Sequence, residues 1–155
     1  MPRILIVGGI LLAALAAVWF LWLAPTLNRG KAQQAAVKKI KGFQELKGTW
    51  SGSVRALHLA AAGDEQLKQL VELDPPDLLR LRITNSKLSD ESFALFAKLP
   101  QVRILDLSGT PVSDAALSSL AKLTHLEWLN LSDSGVKFEQ VKELEKSLPG
   151  VRIDY

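Results

Sequence analysis

The sequence predicts an α/β chain: a short solenoid of about five parallel rungs with helices on its convex side, preceded by a single N-terminal transmembrane helix. Three observations predict it. Aliphatic-x-aliphatic triplets begin at residues 57, 81, 105, 129 and 153, each 24 residues after the last. Between them, apolar residues recur at helical spacing. Before them, Ile4 to Ala24 forms 21 consecutive positions without a charged or strongly polar side chain.

The apolar stretch comes first in the chain. About 20 residues rising 1.5 Å each cross a hydrocarbon core of about 30 Å, so residues 1–24 read as an anchor. A cleavable signal peptide is the competing reading, but its apolar region runs to about 7–15 residues and ends in a small-x-small site. Trp22-Leu23-Ala24-Pro25 is a poor site of that kind. Trp19 and Trp22 stand where indoles settle at headgroup level, and Arg29 and Lys31 come next on the aqueous side. Gly9, Ala13 and Ala17 fall at i, i+4 and i+8, a row of small residues that would let a second membrane helix approach closely.

Residues 25–53 form a basic juxtamembrane stretch and cap. Residues 1–50 carry seven Lys and Arg against Glu45 alone, a charge of +6, whereas residues 51–155 carry 12 basic and 15 acidic residues, a charge of −3. The basic excess therefore belongs to the flank, where it suits anionic lipid headgroups and gives no reason to invoke nucleic acid. Positive charge after the span favours a cytoplasmic domain, while a very short N-terminal tail favours export of the downstream domain. The two tendencies oppose each other, and the side of the membrane stays open. The absence of cysteine suits either compartment. Lys31 to Lys41 reads as a helix with Ala36, Val37 and Ile40 inward. Phe43 to Trp50 and Val54 to Leu59, parted by Ser51-Gly52-Ser53, read as a hairpin that covers the first rung.

Residues 54–155 hold the repeat. Val54, Leu78, Val102 and Leu126 precede the first four triplets by three positions, and Ala62, Ser86, Thr110 and Ser134 stand five positions after each triplet begins. Leu88, Val112 and Val136 stand two further on. The pattern L-x-x-L-x-L-x-x-(small)-x-L resembles the leucine-rich repeat family, whose small position is usually Asn or Cys and bonds to the backbone of neighbouring rungs. Ser and Thr can take such bonds here; Ala62 cannot. The resemblance covers about residues 54–155, implies the fold and says almost nothing about a ligand. Ser89-Asp90 and Ser113-Asp114 supply N-cap chemistry. The helix rows are Leu67/Leu70/Leu73, Phe93/Phe96/Leu99, Leu117/Leu120/Leu123 and Val141/Leu144/Leu148. Asp74-Pro75-Pro76-Asp77 ends the first helix, since proline has no N–H and a fixed φ.

Two chemical motifs bear on catalysis. The stretch LDLSGT around Asp106 resembles the aspartate loop of haloacid-dehalogenase-type phosphatases, but Ser108 replaces the second aspartate and the surrounding sheet pattern is the wrong one. Asp106 is instead the middle of a triplet, which alternation points toward the concave solvent face. His58 and His125 fall in a strand and in a helix-to-strand turn, so no triad is expected of them. No cluster of metal-ligand residues at ligand spacing stands in the sequence, and no cofactor is implied.

What remains is a surface. Strand positions pointing outward give the rows Ala56/Arg80/Ile104/Trp128/Arg152 and His58/Arg82/Asp106/Asn130/Asp154. Arg80, Arg82, Asp106, Trp128, Asn130 and Arg152 are the expected contacts, because Trp and Arg dominate protein interfaces. The expected function is protein–protein interaction by a single-pass membrane protein, through its concave face, its open C-terminal edge or its membrane helix, as an accessory or structural subunit of a membrane complex. A tethered hydrolase using Asp106 and a lipid-associated structural protein acting through the basic flank are the alternatives.

Overall fold

The computed structural model describes residues 24–48 and 54–155. Over these residues the chain is α/β, with one six-stranded sheet and five α-helices. In chain order they are α1 (Ala24–Val37), β1 (Phe43–Gly48), β2 (Val54–Ala60), α2 (Asp64–Leu73), β3 (Arg80–Thr84) and α3 (Asp90–Phe93), which runs into a 3-10 helix (Ala94–Lys98). Then come β4 (Ile104–Asp106), α4 (Asp114–Leu120), β5 (Trp128–Asn130), α5 (Phe138–Ser147) and β6 (Arg152–Asp154).

The strands lie in sequence order. β1 and β2 form the expected antiparallel hairpin, and β2 to β6 pair in parallel. The 24-residue period is the sheet register: Leu57, Leu81, Leu105, Leu129 and Ile153 are successive partners. A period of two along each strand then buries both outer members of the first four triplets, every one of them 2% exposed or less. Val54, Leu78, Val102 and Leu126 close the same core, together with Leu67, Leu70, Phe93, Phe96, Leu120 and Leu144 from the helical segments. Burying each such side chain contributes roughly 1.5–3 kcal/mol, and the row arrangement lets each strand's apolar residues cover those of the next.

After each of β2 to β5 the chain turns through a left-handed residue: Ala61, Asn85, Gly109 and Asp133, with φ of 50°, 49°, 66° and 57°. The turn delivers the next, small residue into the interior. Ser86, Thr110 and Ser134 are buried polar residues there, and Ala62 is buried beside them. Ser86 Oγ accepts the Ala62 N–H at 2.9 Å, and Thr110 Oγ1 accepts the Ser86 N–H at 3.2 Å. Thr110 also donates to the Ile83 carbonyl, 3.0 Å away. The column stops at Ser134, whose hydroxyl turns to the Leu131 carbonyl of its own turn.

Three local expectations change. The helix expected over Lys31 to Lys41 ends at Val37, where i→i+3 bonds from Lys39 to Ala36 and from Ile40 to Val37 tighten the chain. Gly42, at φ +84°, then brings the chain against β2: a Cβ there would lie 2.3 Å from the Ala60 carbonyl oxygen, so only glycine permits the approach. Val37 and Ile40 are buried and Ala36 half-buried, as expected. The second-repeat helix is one short α-turn followed by a 3-10 segment, which places Phe93, Phe96 and Leu99 in the core. At the helix starts, Ser113 Oγ accepts the Ala116 N–H as a cap should, but Ser89 makes no such bond. Asp64, Asp90 and Asp114 reach across instead, to the Ser89 N–H, the Ser113 hydroxyl and the Gln140 amide.

Among the described residues no helix is long and apolar enough to cross a membrane. The span predicted before Ala24, with Gly9, Ala13, Ala17, Trp19 and Trp22, lies outside them, as does the Ser51-Gly52-Ser53 turn.

Candidate functional site

Strand register assembles the candidate site. Arg80, Ile104, Trp128 and Arg152 are successive partners across β3 to β6, and Arg82, Asp106, Asn130 and Asp154 form the adjoining row. Both rows flank the buried triplet leucines, so they lie on the sheet face away from the helices. Arg80 and Arg152 are exposed, while Arg82, Ile104, Trp128 and Asn130 are half-buried.

Asp106 departs from expectation. Predicted to face solvent, it is 5% exposed. Its Oδ2 accepts from Arg82 Nε at 3.1 Å, and its Oδ1 accepts from the Ser108 N–H at 3.1 Å and from Asn130 Nδ2 at 3.2 Å. Register neighbours on both sides thus close over the carboxylate and supply it with donors. Asn130 Oδ1 is in turn held by the Ser132 N–H and hydroxyl. The row is one hydrogen-bonded chain, Arg82–Asp106–Asn130–Ser132.

A second cluster fixes Trp128. Its indole Nε1 donates to Asp154 Oδ2 at 2.8 Å, and Arg152 Nε donates to Asp154 Oδ1 at 3.0 Å. The Trp128 hydrogen bond first, and the Arg152 guanidinium second, hold the Asp154 carboxyl below the usual carboxylate range. Asp154 therefore stays ionised at neutral pH and keeps the indole in one orientation. Expected to be exposed, Trp128 is half-buried for that reason.

Between the two clusters Arg80, Arg82, Ile104, Asp106 and Trp128 line a hollow of ≈ 420 Å³. Four of the six expected contacts meet there. Asn130 acts on the hollow through Asp106, and Arg152 lies beyond Trp128. Ile104 and Asp154 are the members that a ranking by interface residue type passes over, although both stand in the predicted rows. Of the flank residues, Lys31, Lys38, Lys39 and Lys41 are exposed.

The other candidates separate in space. His58 Nε2 lies 2.9 Å from Thr84 Oγ1 on β2 and β3. His125 is half-buried in the loop before β5, where burial first and the Arg103 charge second push its imidazole pKa down. Among the described residues no group of three or more His, Asp or Glu is placed to hold a metal ion. Among the described residues the large exposed apolar side chains are Phe138 and Tyr155, 56% and 53% exposed, with ring centroids 6.3 Å apart. Set against known proteins, the chain matches no family model, no curated protein and no solved structure.

Proposed function

We propose that the chain is a membrane-anchored leucine-rich-repeat protein whose sheet face binds a protein partner, as an accessory or structural subunit of a membrane complex. The observation that carries the binding reading is the hollow between Arg80, Arg82, Ile104 and Trp128: two guanidinium groups and a fixed indole converge on it. Trp and Arg held in place combine large contact area with little ordering cost on binding. The repeat reading draws support from the 24-residue register, the left-handed turn repeated in four rungs and the hydroxyls of Ser86 and Thr110 that bond from rung to rung. The anchor reading rests on the length and apolarity of residues 4–24.

The test is mild detergent extraction of the full chain from its own membranes, then identification of co-purifying proteins. Trp128→Ala and Arg80→Ala are expected to lose the partner, while leucine at Gly9, Ala13 and Ala17 leaves it bound. Retention of the partner by both face variants and its loss with the leucine variant would move the interface to the membrane helix. Resistance to alkaline extraction, abolished by removing residues 1–24, tests the anchor, and protease accessibility in sealed vesicles assigns the side.

A lipid-associated role for the flank is the second reading, favoured by the exposure of Lys31, Lys38, Lys39 and Lys41. Neutralising the last three and finding complex assembly unchanged counts against it. The hydrolase reading of Asp106 is set behind these two, since its carboxylate is 5% exposed and bonded to Arg82, Ser108 and Asn130. An Asp106→Ala variant that stays folded and loses phosphate-ester turnover would restore it.

A further inference from the structure

Resting on the reading of this face as a binding surface, we propose that its occupant is a polypeptide segment presenting a carboxylate next to an aliphatic or aromatic side chain. Three features of the hollow select that chemistry.

The first is an imbalance of donors over acceptors. Asp106 has both oxygens occupied, by Arg82, Ser108 and Asn130, and Asp154 has both occupied, by Trp128 and Arg152. Each carboxylate of the face is thus already paired with a donor of the same face, Asp106 with Arg82 and Asp154 with Arg152. Arg80, in contrast, is exposed and forms no ion pair with any described residue, and Arg82 commits only its Nε to Asp106. Guanidinium groups with unspent N–H donors take carboxylates as forked pairs. The two rows carry Arg80, Arg82 and Arg152 against Asp106 and Asp154, one positive charge in excess, on a segment whose total charge over residues 51–155 is −3. The cationic character is therefore local to this face.

The second feature is the apolar floor. Ile104 stands next to Arg80 in register, and Trp128 next to Ile104. The indole N–H is spent on Asp154, so the ring offers the occupant only its apolar and π surface. A carboxylate on Arg80 thus has an aliphatic or aromatic side chain as its fitting neighbour.

The third is scale. Arg80 and Arg152 stand three strand spacings apart, about 14 Å, which a few residues of extended chain cover. Single-stranded nucleic acid could also stack on an indole, but it needs a track of cations along its phosphates. One uncommitted charge does not supply that track.

The test pans a phage-displayed random peptide library against the full chain in detergent micelles. Peptides carrying Asp or Glu within two residues of Leu, Ile, Phe or Trp are expected to be enriched. A synthetic peptide of that kind should bind R80E about tenfold or more weakly than wild type, since a charge-assisted forked pair becomes a repulsion. R80K should fall between them, keeping the charge and losing the fork. W128A should weaken binding without changing the preferred charge, and panning against R80E should select Lys or Arg in place of the acid. Arg80 is exposed, and equal unfolding temperatures for wild type and R80E exclude misfolding as the cause. Peptides that require Trp128 yet lack an acid and bind R80E as well as wild type would overturn the chemistry while leaving the face a binding surface. Peptides indifferent to both substitutions, or no enrichment, would overturn the face as well. Trp128-dependent binding of an oligouridylate probe in place of peptides would replace the polypeptide by nucleic acid.

Discussion

Replacing Thr110 by valine tests the column of buried hydroxyls at its centre. Thr110 is fully buried; its Oγ1 accepts the Ser86 N–H at 3.2 Å and donates to the Ile83 carbonyl at 3.0 Å. Valine keeps the shape and removes both bonds. Thr110 is the only described partner of the Ser86 N–H, and an orphaned buried donor costs roughly 1–3 kcal/mol. The expected loss is about 2 kcal/mol, or about 8–16 °C in the unfolding temperature of a domain near a hundred residues. Thr110→Ser is the control: it keeps the hydroxyl and removes one buried methyl, for about 0.5–1 kcal/mol. Thermal unfolding of the full chain in mild detergent, monitored by circular dichroism, measures the ranking. Hydrogen exchange at the Ser86 amide measures the cause, with protection lost in the valine variant and kept in the serine variant. A valine variant as stable as wild type with Ser86 still protected, or a serine variant that loses as much, would refute the reasoning.

Two further outcomes concern a strained turn and a pair of titrating side chains. Ala61 holds φ +50° without the tolerance that Asn85, Gly109 and Asp133 bring to the equivalent turns; an L-residue there costs roughly 1–2 kcal/mol, so Ala61→Asn is expected to stabilise by about 0.5–1 kcal/mol in the same unfolding assay. A drop in unfolding temperature would show that the alanine methyl has a packing role. The pH dependence has a definite sign at two groups. Asp64 is held below the ordinary carboxylate range by the Ser92 hydroxyl first and the Ser89 N–H second. The folded state therefore binds fewer protons than the unfolded one. Its contribution is complete above an unfolded value of about 3.9 and is lost as the pH falls through the lower folded value. Asp64→Asn should flatten the stability profile below about pH 4. His125 is also lowered, by burial and then Arg103, so stability falls as the pH drops below about 6.5, and His125→Gln should remove that part of the slope. Unchanged slopes in these variants would assign the acid sensitivity to other groups.

The strands were legible because a repeat states the same weak signal many times. One L-x-L triplet says little, but five at a fixed interval define a register, and alternation then says which residues of each strand are buried. Leu57, Leu81, Leu105 and Leu129 follow from that alone. Helix ends were not legible in the same way. α1 ends at Val37, and five residues later Gly42 meets the Ala60 carbonyl, a contact between segments 18 residues apart that local pattern cannot supply. The left-handed turn at Ala61 is hidden for a similar reason. Bonds from the Ala61 N–H to the Thr84 carbonyl, from the Ala62 N–H to Ser86 Oγ and from the Lys87 N–H to the Ala62 carbonyl hold it in place, and none of these is written in the alanine.

Asp106 shows where direction and exposure part company. Alternation along β4 correctly assigned it to the face away from the helices, yet that face is made of neighbours as well as directions. Arg82 on one side and Asn130 on the other stand one rung away, close enough to close over a short acid. The sequence contained this signal, since Arg, Asp and Asn at intervals of 24 residues occupy one row, and a charge between two donors at strand spacing is bonded before it is available. The bonding changes what the row contributes. Bonded on both oxygens, Asp106 is an internal counter-charge that orients Arg82, in a hollow that also holds the Arg80 guanidinium, an aliphatic wall and an indole whose own donor is spent. The exposed Arg80 is left as the charge of that face without an ion pair to any described residue, beside the half-buried Ile104 and Trp128.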